Sequence, residues 1–174
     1  MESTIREEPL EIERKFLIRM PEREDLERCS ERFIDIEQIY LLGTEGGGSR
    51  RIRRSLCGGE EKRYFTEKVS VTHVTRVERE REISPGEWDE LMTQADPERR
   101  PIVKRRWCVP YAGHTLEIDV FPFWTDRAFC EAELASEAET LELPPWIRVI
   151  REVTEDSRYN NSSLALAVPM DDLT

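Results

Sequence analysis

The sequence lacks several features that would place it in a class at once. Its 174 residues contain no apolar run near the roughly 20 residues that span a bilayer. The first eight residues offer no apolar stretch of the kind that a signal peptide needs. Only four cysteines are present, and no two have the spacing Cys-x-x-Cys. We therefore expect a cytoplasmic protein with reduced thiols, no membrane contact, and neither a zinc site nor a disulfide framework.

Basic residues are outnumbered by acidic residues. Lysine and arginine number 26 against 37 acidic residues, so the formal net charge is -11, which argues against a general nucleic-acid binder. Charged residues nevertheless make up 36% of the chain, above the roughly 25% typical of soluble domains. No repeat or linker interrupts the sequence. We therefore expect one domain over residues 1–174, long enough to bury a core.

Short alternating segments dominate the chain, and glycine- or proline-containing turns separate them. Such a pattern predicts a mainly β fold, either an antiparallel sandwich or a barrel. The predicted strands are 10–18, 36–42, 50–56, 62–70, 75–83, 102–109, 114–121 and 128–134.

Helices are fewer. Ser84 is a good N-cap, Pro85 suits the first helical position, and an apolar stripe at helical spacing follows. Two further short helices are predicted over about 21–31 and near 135–142, where Pro144 and Pro145 would end the second.

Charges alternate along the predicted strands in an unusual way. Side chains two residues apart in a strand share a face, roughly 6–7 Å from one another. Acidic residues share faces in this way as Glu11 with Glu13, Glu78 with Glu80, Glu117 with Asp119, and Glu131 with Glu133. Basic residues do so as Arg51 with Arg53, and Lys104 with Arg106, while Lys68 shares a face with Thr66.

Two interpretations of this pattern are open. An antiparallel sheet commonly turns one polar face to water, which would explain any single strand. Here, however, carboxylates and cations separate by strand, and charges that converge on one interior surface are costly unless they are paired or bound to a ligand. Paired carboxylates bind Mg²⁺ or Mn²⁺, and clustered Lys and Arg bind phosphoryl oxygens. A closed barrel with both linings would bind a metal-complexed polyphosphate.

The segment Glu11-Ile12-Glu13-Arg14-Lys15 resembles the Glu-x-Glu-x-Lys signature of the CYTH superfamily, the triphosphate tunnel metalloenzymes. Later segments follow in the order of that family and extend the resemblance over most of the chain. These are Arg51-Ile52-Arg53, Thr66-Glu67-Lys68, Arg76-Val77-Glu78-Arg79-Glu80, Lys104-Arg105-Arg106, Glu117-Ile118-Asp119-Val120-Phe121 and Glu131-Ala132-Glu133-Leu134. The tail over 152–161 is similar to the bacterial tripolyphosphatase-like branch.

The resemblance implies an α+β, mainly β fold: a closed eight-stranded antiparallel barrel with a polar, charged interior and a few helices outside. It favours hydrolysis of a small-molecule triphosphate, foremost inorganic tripolyphosphate, by in-line attack of water on a terminal phosphoryl group. A class IV-type adenylate cyclase and a thiamine or nucleoside triphosphatase are the alternative enzymes. A non-catalytic polyphosphate or nucleotide sensor is the alternative from another class. We expect this protein to be a monomer or a homodimer.

The same resemblance assigns the candidate site residues. Mg²⁺ or Mn²⁺ would be held by Glu11, Glu13, Glu131 and Glu133. Phosphates would be bound by Lys15, Arg51, Arg53, Lys68, Lys104 and Arg106. A second metal or the attacking water would sit at the catalytic residues Glu78, Glu80 and Asp119. Arg158 is a further candidate for a phosphate contact. Tyr40, which alternates with Gln38 along its strand, would either reach the lining or serve in packing.

Overall fold

Nine strands form one continuous sheet in the computed structural model of the chain, in which residues 12–43, 48–70 and 76–173 are described. The strands are β1 (Ile12–Arg19), β2 (Arg32–Leu41), β3 (Ser49–Cys57), β4 (Glu60–Ser70), β5 (Arg76–Glu82), β6 (Ile102–Tyr111), β7 (His114–Val120), β8 (Arg127–Leu134) and β9 (Val149–Glu152). Each of the eight predicted strands is present, and the antiparallel, mainly β architecture is confirmed.

The sheet has the order β5-β4-β3-β2-β6-β7-β8-β1-β9, and every neighbouring pair is antiparallel. Strand β9 was not predicted, because its four residues are too few to show an alternating pattern. Within the described ranges, hydrogen bonds do not join the two edge strands β5 and β9, so the barrel is not closed by a ladder.

The sheet is strongly curved, and its concave face carries the predicted charged residues. Arg106 on β6 lies 3.7 Å from Glu131 on β8, across β7. Arg53 on β3 is also close enough to Asp119 on β7 for the two charges to interact, although β2 and β6 lie between them. Residues directly opposite in neighbouring strands share a face, and the register pairs Gln38 with Arg53, Arg106 with Asp119, and Lys15 with Glu131. We call the space enclosed by this concave face the lumen.

Two apolar clusters lie on the convex face, under helices. Helix α1 (Arg23–Cys29) buries Leu26 against the outward side chains of β1, β6, β7 and β8. Helix α2 (Pro85–Met92) buries Trp88 against β2 and β3, and the Glu87 N–H donates to Ser84 Oγ over 3.1 Å, which confirms the predicted cap. No helix in the described part of the chain has the length and apolarity needed to cross a membrane.

A third apolar cluster lies inside the lumen, at the end where β1, β2 and β7 finish and β6 and β8 begin. Four strand residues of the cluster lie on the same face as the charged lining: Leu17, Tyr40, Ile102 and Phe129. Phe121, directly after β7, continues the alternation of Glu117 and Asp119. Residues of the C-terminal segment (153–173), among them Val153, Tyr159, Leu164 and Ala165, complete the cluster. The interior is therefore charged along most of its length and apolar at one end, which the sequence did not predict.

The region after β8 differs from the predicted helix near 135–142. The Glu139 carboxylate accepts a hydrogen bond from the Ala135 N–H over 2.5 Å and contacts His114 Nε2 over 2.7 Å, so the segment forms turns and the helix prediction is wrong. Two short elements follow β9, a 3-10 turn (Ser157–Tyr159) and helix α3 (Asn161–Leu164). All four cysteines are free thiols, as expected.

Candidate active site

A buried ion cluster on β6 and β7 forms the floor of the site. Lys104 Nζ lies 2.8 Å from Asp119 Oδ2, and neither side chain is exposed to solvent. Arg106 donates to the same carboxylate through Nε (2.8 Å) and Nη2 (2.9 Å), a bidentate contact. Burial alone would raise the pKa of Asp119, but Lys104 and Arg106 outweigh it and hold that pKa well below its usual range. Burial lowers the pKa of Lys104 to about 8.

Arg106 connects this cluster to the next two carboxylates. Its Nη1 lies 2.5 Å from Glu117 Oε2, and its Nη2 lies 3.7 Å from Glu131 Oε2. Burial raises the pKa of Glu117 in spite of the nearby guanidinium. One arginine thus links the acidic side chains of β7 and β8.

Glu13 and Glu131 form a carboxyl pair near the mouth of the lumen, the end at which Glu13 and Glu133 are exposed. Loss of water around the Glu13 carboxyl group raises its pKa to about 8, and the charge of Glu131 and a hydrogen bond between the two groups contribute to this shift. Lys15 Nζ lies 3.2 Å from Glu131 Oε1 and helps to keep the pKa of Glu131 low against the effect of burial. Two carboxyl groups this close repel each other when both are ionised, and a cation bound between them would relieve that repulsion.

Two arginines of β3 face the lumen from the other side. Arg53 donates through Nε to Gln38 Oε1 over 3.0 Å, and it pairs with no carboxylate in the residues that the structure describes. Burial and the neighbouring charges of Arg51 and Arg106 lower the pKa of Arg53. The Nε of Arg51 is buried and has no hydrogen-bond partner among the described residues. These guanidinium groups keep donors free for an anion.

Strands β4 and β5 contribute a more open wall. Glu78 lies 3.7 Å from Arg51 Nη2 and 3.4 Å from Lys68 Nζ, and its side chain is 40% exposed. Glu80 accepts a hydrogen bond from Thr66 Oγ1 over 2.9 Å. The three predicted catalytic acids therefore lie on two walls, Glu78 and Glu80 on β5 and Asp119 on β7. Four strands, β4, β3, β2 and β6, separate β5 from β7 in the sheet.

The structure places the predicted site residues on one concave surface, with two exceptions. Glu11 lies outside the described residues. Arg158 turns away from the lining, because its guanidinium contacts Asp156 over 2.8 Å and Asp171 over 3.5 Å and is largely exposed. Tyr40 faces inward, as its alternation with Gln38 predicted, and joins the apolar cluster.

The carboxylates fit a metal only in part. No three His, Cys, Asp or Glu side chains within residues 12–43, 48–70 and 76–173 are arranged to hold a metal ion. Oxygen donors of the right type come together pairwise, as Glu13 with Glu131, and Glu133 stands directly opposite Glu13 in the ladder. Glu13 and Glu131 are thus the described residues that would hold a hard cation, with Glu133 beside them.

Three residues of the lining were not predicted to belong to the site. Gln38 is fully buried and orients Arg53, and Thr66 is buried beside Glu80. Tyr159 accepts a hydrogen bond from Lys15 Nζ at its backbone carbonyl over 2.8 Å. Alternation along β4 had placed Thr66 on the face of Lys68, and alternation along β2 could have indicated Gln38 in the same way. A backbone contact from the C-terminal segment leaves no mark in the sequence.

The chain is similar to two proteins named inorganic triphosphatase. That of Nitrosomonas europaea is 32% identical over 163 residues, which cover 91% of this chain and 99% of the relative. That of Acetivibrio thermocellus is 37% identical over 105 residues, 60% of this chain and 65% of the relative's length. The chain belongs to the CYTH family of triphosphate tunnel proteins.

Solved structures agree with this membership. The crystal structure of the inorganic triphosphatase NE1496 matches with a TM-score of 0.59 and 28% identity, over 93% of this chain and 98% of that one. A second crystal structure, of the hypothetical protein NE1496, matches with a TM-score of 0.60 and 29% identity, over 92% and 100%. No family model matches the chain, so the membership in the CYTH family rests on these individual relatives.

Proposed function

We propose that the lumen binds a linear triphosphate, foremost inorganic tripolyphosphate, and hydrolyses it with a divalent metal ion by in-line attack of water on a terminal phosphoryl group. The environment of Arg53 supports this proposal most directly. Its guanidinium is partly buried, faces the lumen and has no carboxylate partner in the described chain. A cation kept in this state in the interior is stabilised by an anionic ligand. The names of the relatives point to a triphosphate as that anion.

The phosphate-binding residues in this proposal are Arg51, Arg53 and Arg106, with Lys68 and Lys104 behind them. An arginine can hold phosphate oxygens through two parallel hydrogen bonds, and Arg51 and Arg53 have donors left for this. Phosphoryl transfer needs little covalent chemistry from the protein, and most of the rate enhancement comes from positioning and neutralisation of charge. The cation surface would supply both.

The metal ligands in this proposal are Glu13 and Glu131, with Glu11 and Glu133 as further carboxylates of the same pattern. When bound, Mg²⁺ or Mn²⁺ supplies charge neutralisation at the phosphate oxygens and lowers the pKa of a coordinated water. Asp119 keeps Lys104 and Arg106 in place beneath the phosphates. Glu78 and Glu80 are the acids that would orient a water on the β5 side.

The test is a matched pair of arginine variants. Arg53 faces the lumen, whereas its neighbour Arg54 faces outward and pairs with Glu37 (3.2 Å) and Glu61 (3.5 Å). Purified protein would be given tripolyphosphate, ATP or thiamine triphosphate, each with Mg²⁺, with Mn²⁺ or with a chelator, and both orthophosphate and cyclic AMP would be measured. We expect orthophosphate from tripolyphosphate only when metal is present.

The variant R53Q should lose about 10- to 100-fold in kcat/KM, since one charge-assisted hydrogen bond contributes about 1.5–3 kcal/mol. R54Q should keep the activity of the wild type. Cyclic AMP formed without release of orthophosphate would replace the proposal with the cyclase. Tight tripolyphosphate binding without turnover would replace it with the sensor, and full activity in R53Q would show that the phosphate site is misplaced.

A further inference from the structure

Lys15 is the side chain at which the lumen and the C-terminal segment (residues 153–173) meet. Its ammonium group contacts three different groups. It donates to the backbone carbonyl of Tyr159 over 2.8 Å, lies 3.2 Å from Glu131 Oε1, and sits 4.1 Å from the ring centroid of Phe129. The side chain is only 12% exposed.

These contacts use the whole bonding capacity of the lysine. An ammonium group has three donors and no acceptor, and here the carbonyl, the carboxylate and the aromatic face occupy all three directions. Arg53 is the opposite case, because one of its five donors goes to Gln38 and no carboxylate in the described chain pairs with it. A phosphate entering the lumen therefore finds donors on Arg53 and none on Lys15.

The backbone of the same residue also binds the C-terminal segment. The Lys15 N–H donates to Thr154 Oγ1 over 3.0 Å, and the Lys15 carbonyl accepts from the Val153 N–H over 2.8 Å. Together with the Nζ contact to Tyr159, one residue of β1 holds three residues of the segment. The segment is thus fastened where β9 ends.

Tyr159 also connects the segment to the apolar cluster inside the lumen. Its side chain is fully buried, and its ring lies 6.0 Å from that of Phe129, edge to face. Its hydroxyl contacts Arg151 (2.5 Å) and Asp171 (3.3 Å), and the Arg100 N–H donates to the Ala165 carbonyl over 2.9 Å. The segment therefore reaches from β1 to the start of β6.

Next to this attachment lies a cavity of about 350 Å³ at the mouth. Glu13 and Lys15 line it from β1, and residues 153–157 with 159 and 160 line it from the segment. The position of the C-terminal segment thus decides the shape of the space beside Glu13, where a metal-complexed substrate would enter.

We propose that Lys15 is a positioning residue, which fixes Glu131 and the C-terminal segment against each other and does not bind phosphate. The resemblance to the family groups Lys15 with the phosphate ligands, and the donor count separates it from them. This inference rests on the proposed function, because the role of Lys15 is to keep the site in its working geometry. Loss of the side chain should slow turnover and leave the affinity for the triphosphate nearly unchanged.

The test compares K15M with R53Q in the full-length protein. Two measurements are made: tripolyphosphate binding by calorimetry without metal, and hydrogen exchange of residues 153–165. For K15M we expect a dissociation constant within about threefold of the wild type, together with faster exchange in the segment. For R53Q we expect binding weakened about 10- to 100-fold and unchanged exchange, since a charge-assisted bond is lost and the segment is untouched. Steady-state kinetics should show K15M lowering kcat and R53Q raising KM.

The variant K15Q covers the case in which K15M does not fold. Its amide can still donate to the Tyr159 carbonyl but carries no charge, so the segment should stay protected while kcat falls. Binding loss in K15M or K15Q equal to that of R53Q, with unchanged exchange, would overturn the inference. An inactive wild type would refute the proposed function only, because binding and exchange still report the role of Lys15.

Discussion

Lys104 and Asp119 form an ion pair with an Nζ–Oδ2 distance of 2.8 Å, and both side chains are completely shielded from solvent. Asp119 also carries the bidentate contact from Arg106. Asp119 therefore pairs with two cations of β6, and Lys104 has no other carboxylate partner in the residues that the structure describes. Breaking a buried pair from one side is costly, because the remaining charge has no water to replace its partner.

The variant D119N should lose about 3–5 kcal/mol in the free energy of unfolding, measured with urea. The matched control is D35N, on the outer face, where Asp35 binds Arg105 through two hydrogen bonds of 2.8 and 3.0 Å but is 42% exposed. Because exposed pairs contribute little, D35N should lose less than about 1 kcal/mol. Equal losses in the two variants would contradict the structural role given to Asp119.

The aromatic cluster at the inner end of the lumen should be a main source of stability. Phe129 is fully buried and contacts Phe121 and Trp124 edge to face, with ring centroids 5.5 and 5.1 Å away. The variant F129A should therefore lower the free energy of unfolding by about 3–5 kcal/mol. F33A, at a phenylalanine that is 41% exposed, should lose clearly less. If the losses were similar, Phe129 would not be part of a packed core.

The cap of α2 gives a smaller and local prediction. Ser84 Oγ accepts the N–H of Glu87, and substitution by alanine leaves that donor without its partner. S84A should lose about 1 kcal/mol of stability by thermal or chemical unfolding. S136A, at an exposed serine in a turn, serves as the control and should stay within about 0.5 kcal/mol of the wild type. A neutral S84A would mean that solvent replaces the cap.

Thiol reactivity should separate the four cysteines and depend on pH. Burial, followed by the charges of Glu131 and Asp119, raises the pKa of Cys130 to about 12, and burial raises the pKa of Cys108. Alkylation requires the thiolate, so a raised pKa moves the reaction to higher pH. In native protein at pH 8, mass spectrometry should find label on Cys29 and Cys57 only. Unfolded protein should label at all four, and native labelling of Cys130 at pH 8 would contradict its burial.

The fold was predictable to the extent that it depends on alternation. The lining pairs such as Arg51 with Arg53, and Lys104 with Arg106, follow from the period of two, and the register then brings them to one concave surface. Helix α2 was predictable from its cap and its apolar stripe. In segments of this kind, neighbouring residues are enough to predict the secondary structure.

The remainder could not be predicted, because it depends on contacts between distant parts of the chain. Strand β9 exists because β1 offers it a free edge, and its four residues alternate too briefly to indicate a strand. Residues 135–138 form bends and turns instead of the predicted helix, and the Glu139 side chain accepts from the Ala135 N–H and contacts His114 on β7. The apolar end of the lumen and the attachment of Tyr159 to Lys15 both come from the C-terminal segment, whose sequence has no clear period.

The pairing of β1 also constrains how the chain can be made. Strand β1 lies between β8 and β9, so both of its partners are synthesised long after it. Strands β2 to β5 can pair in succession as they are synthesised. The apolar outer side chains of β1 stay unpaired until β8 has been synthesised. Contacts of such long sequence separation form late and slowly. A nascent chain stalled before β8 would thus leave Phe16 and Ile18 without the β8 side chains Ala128, Cys130 and Ala132 that share their cluster.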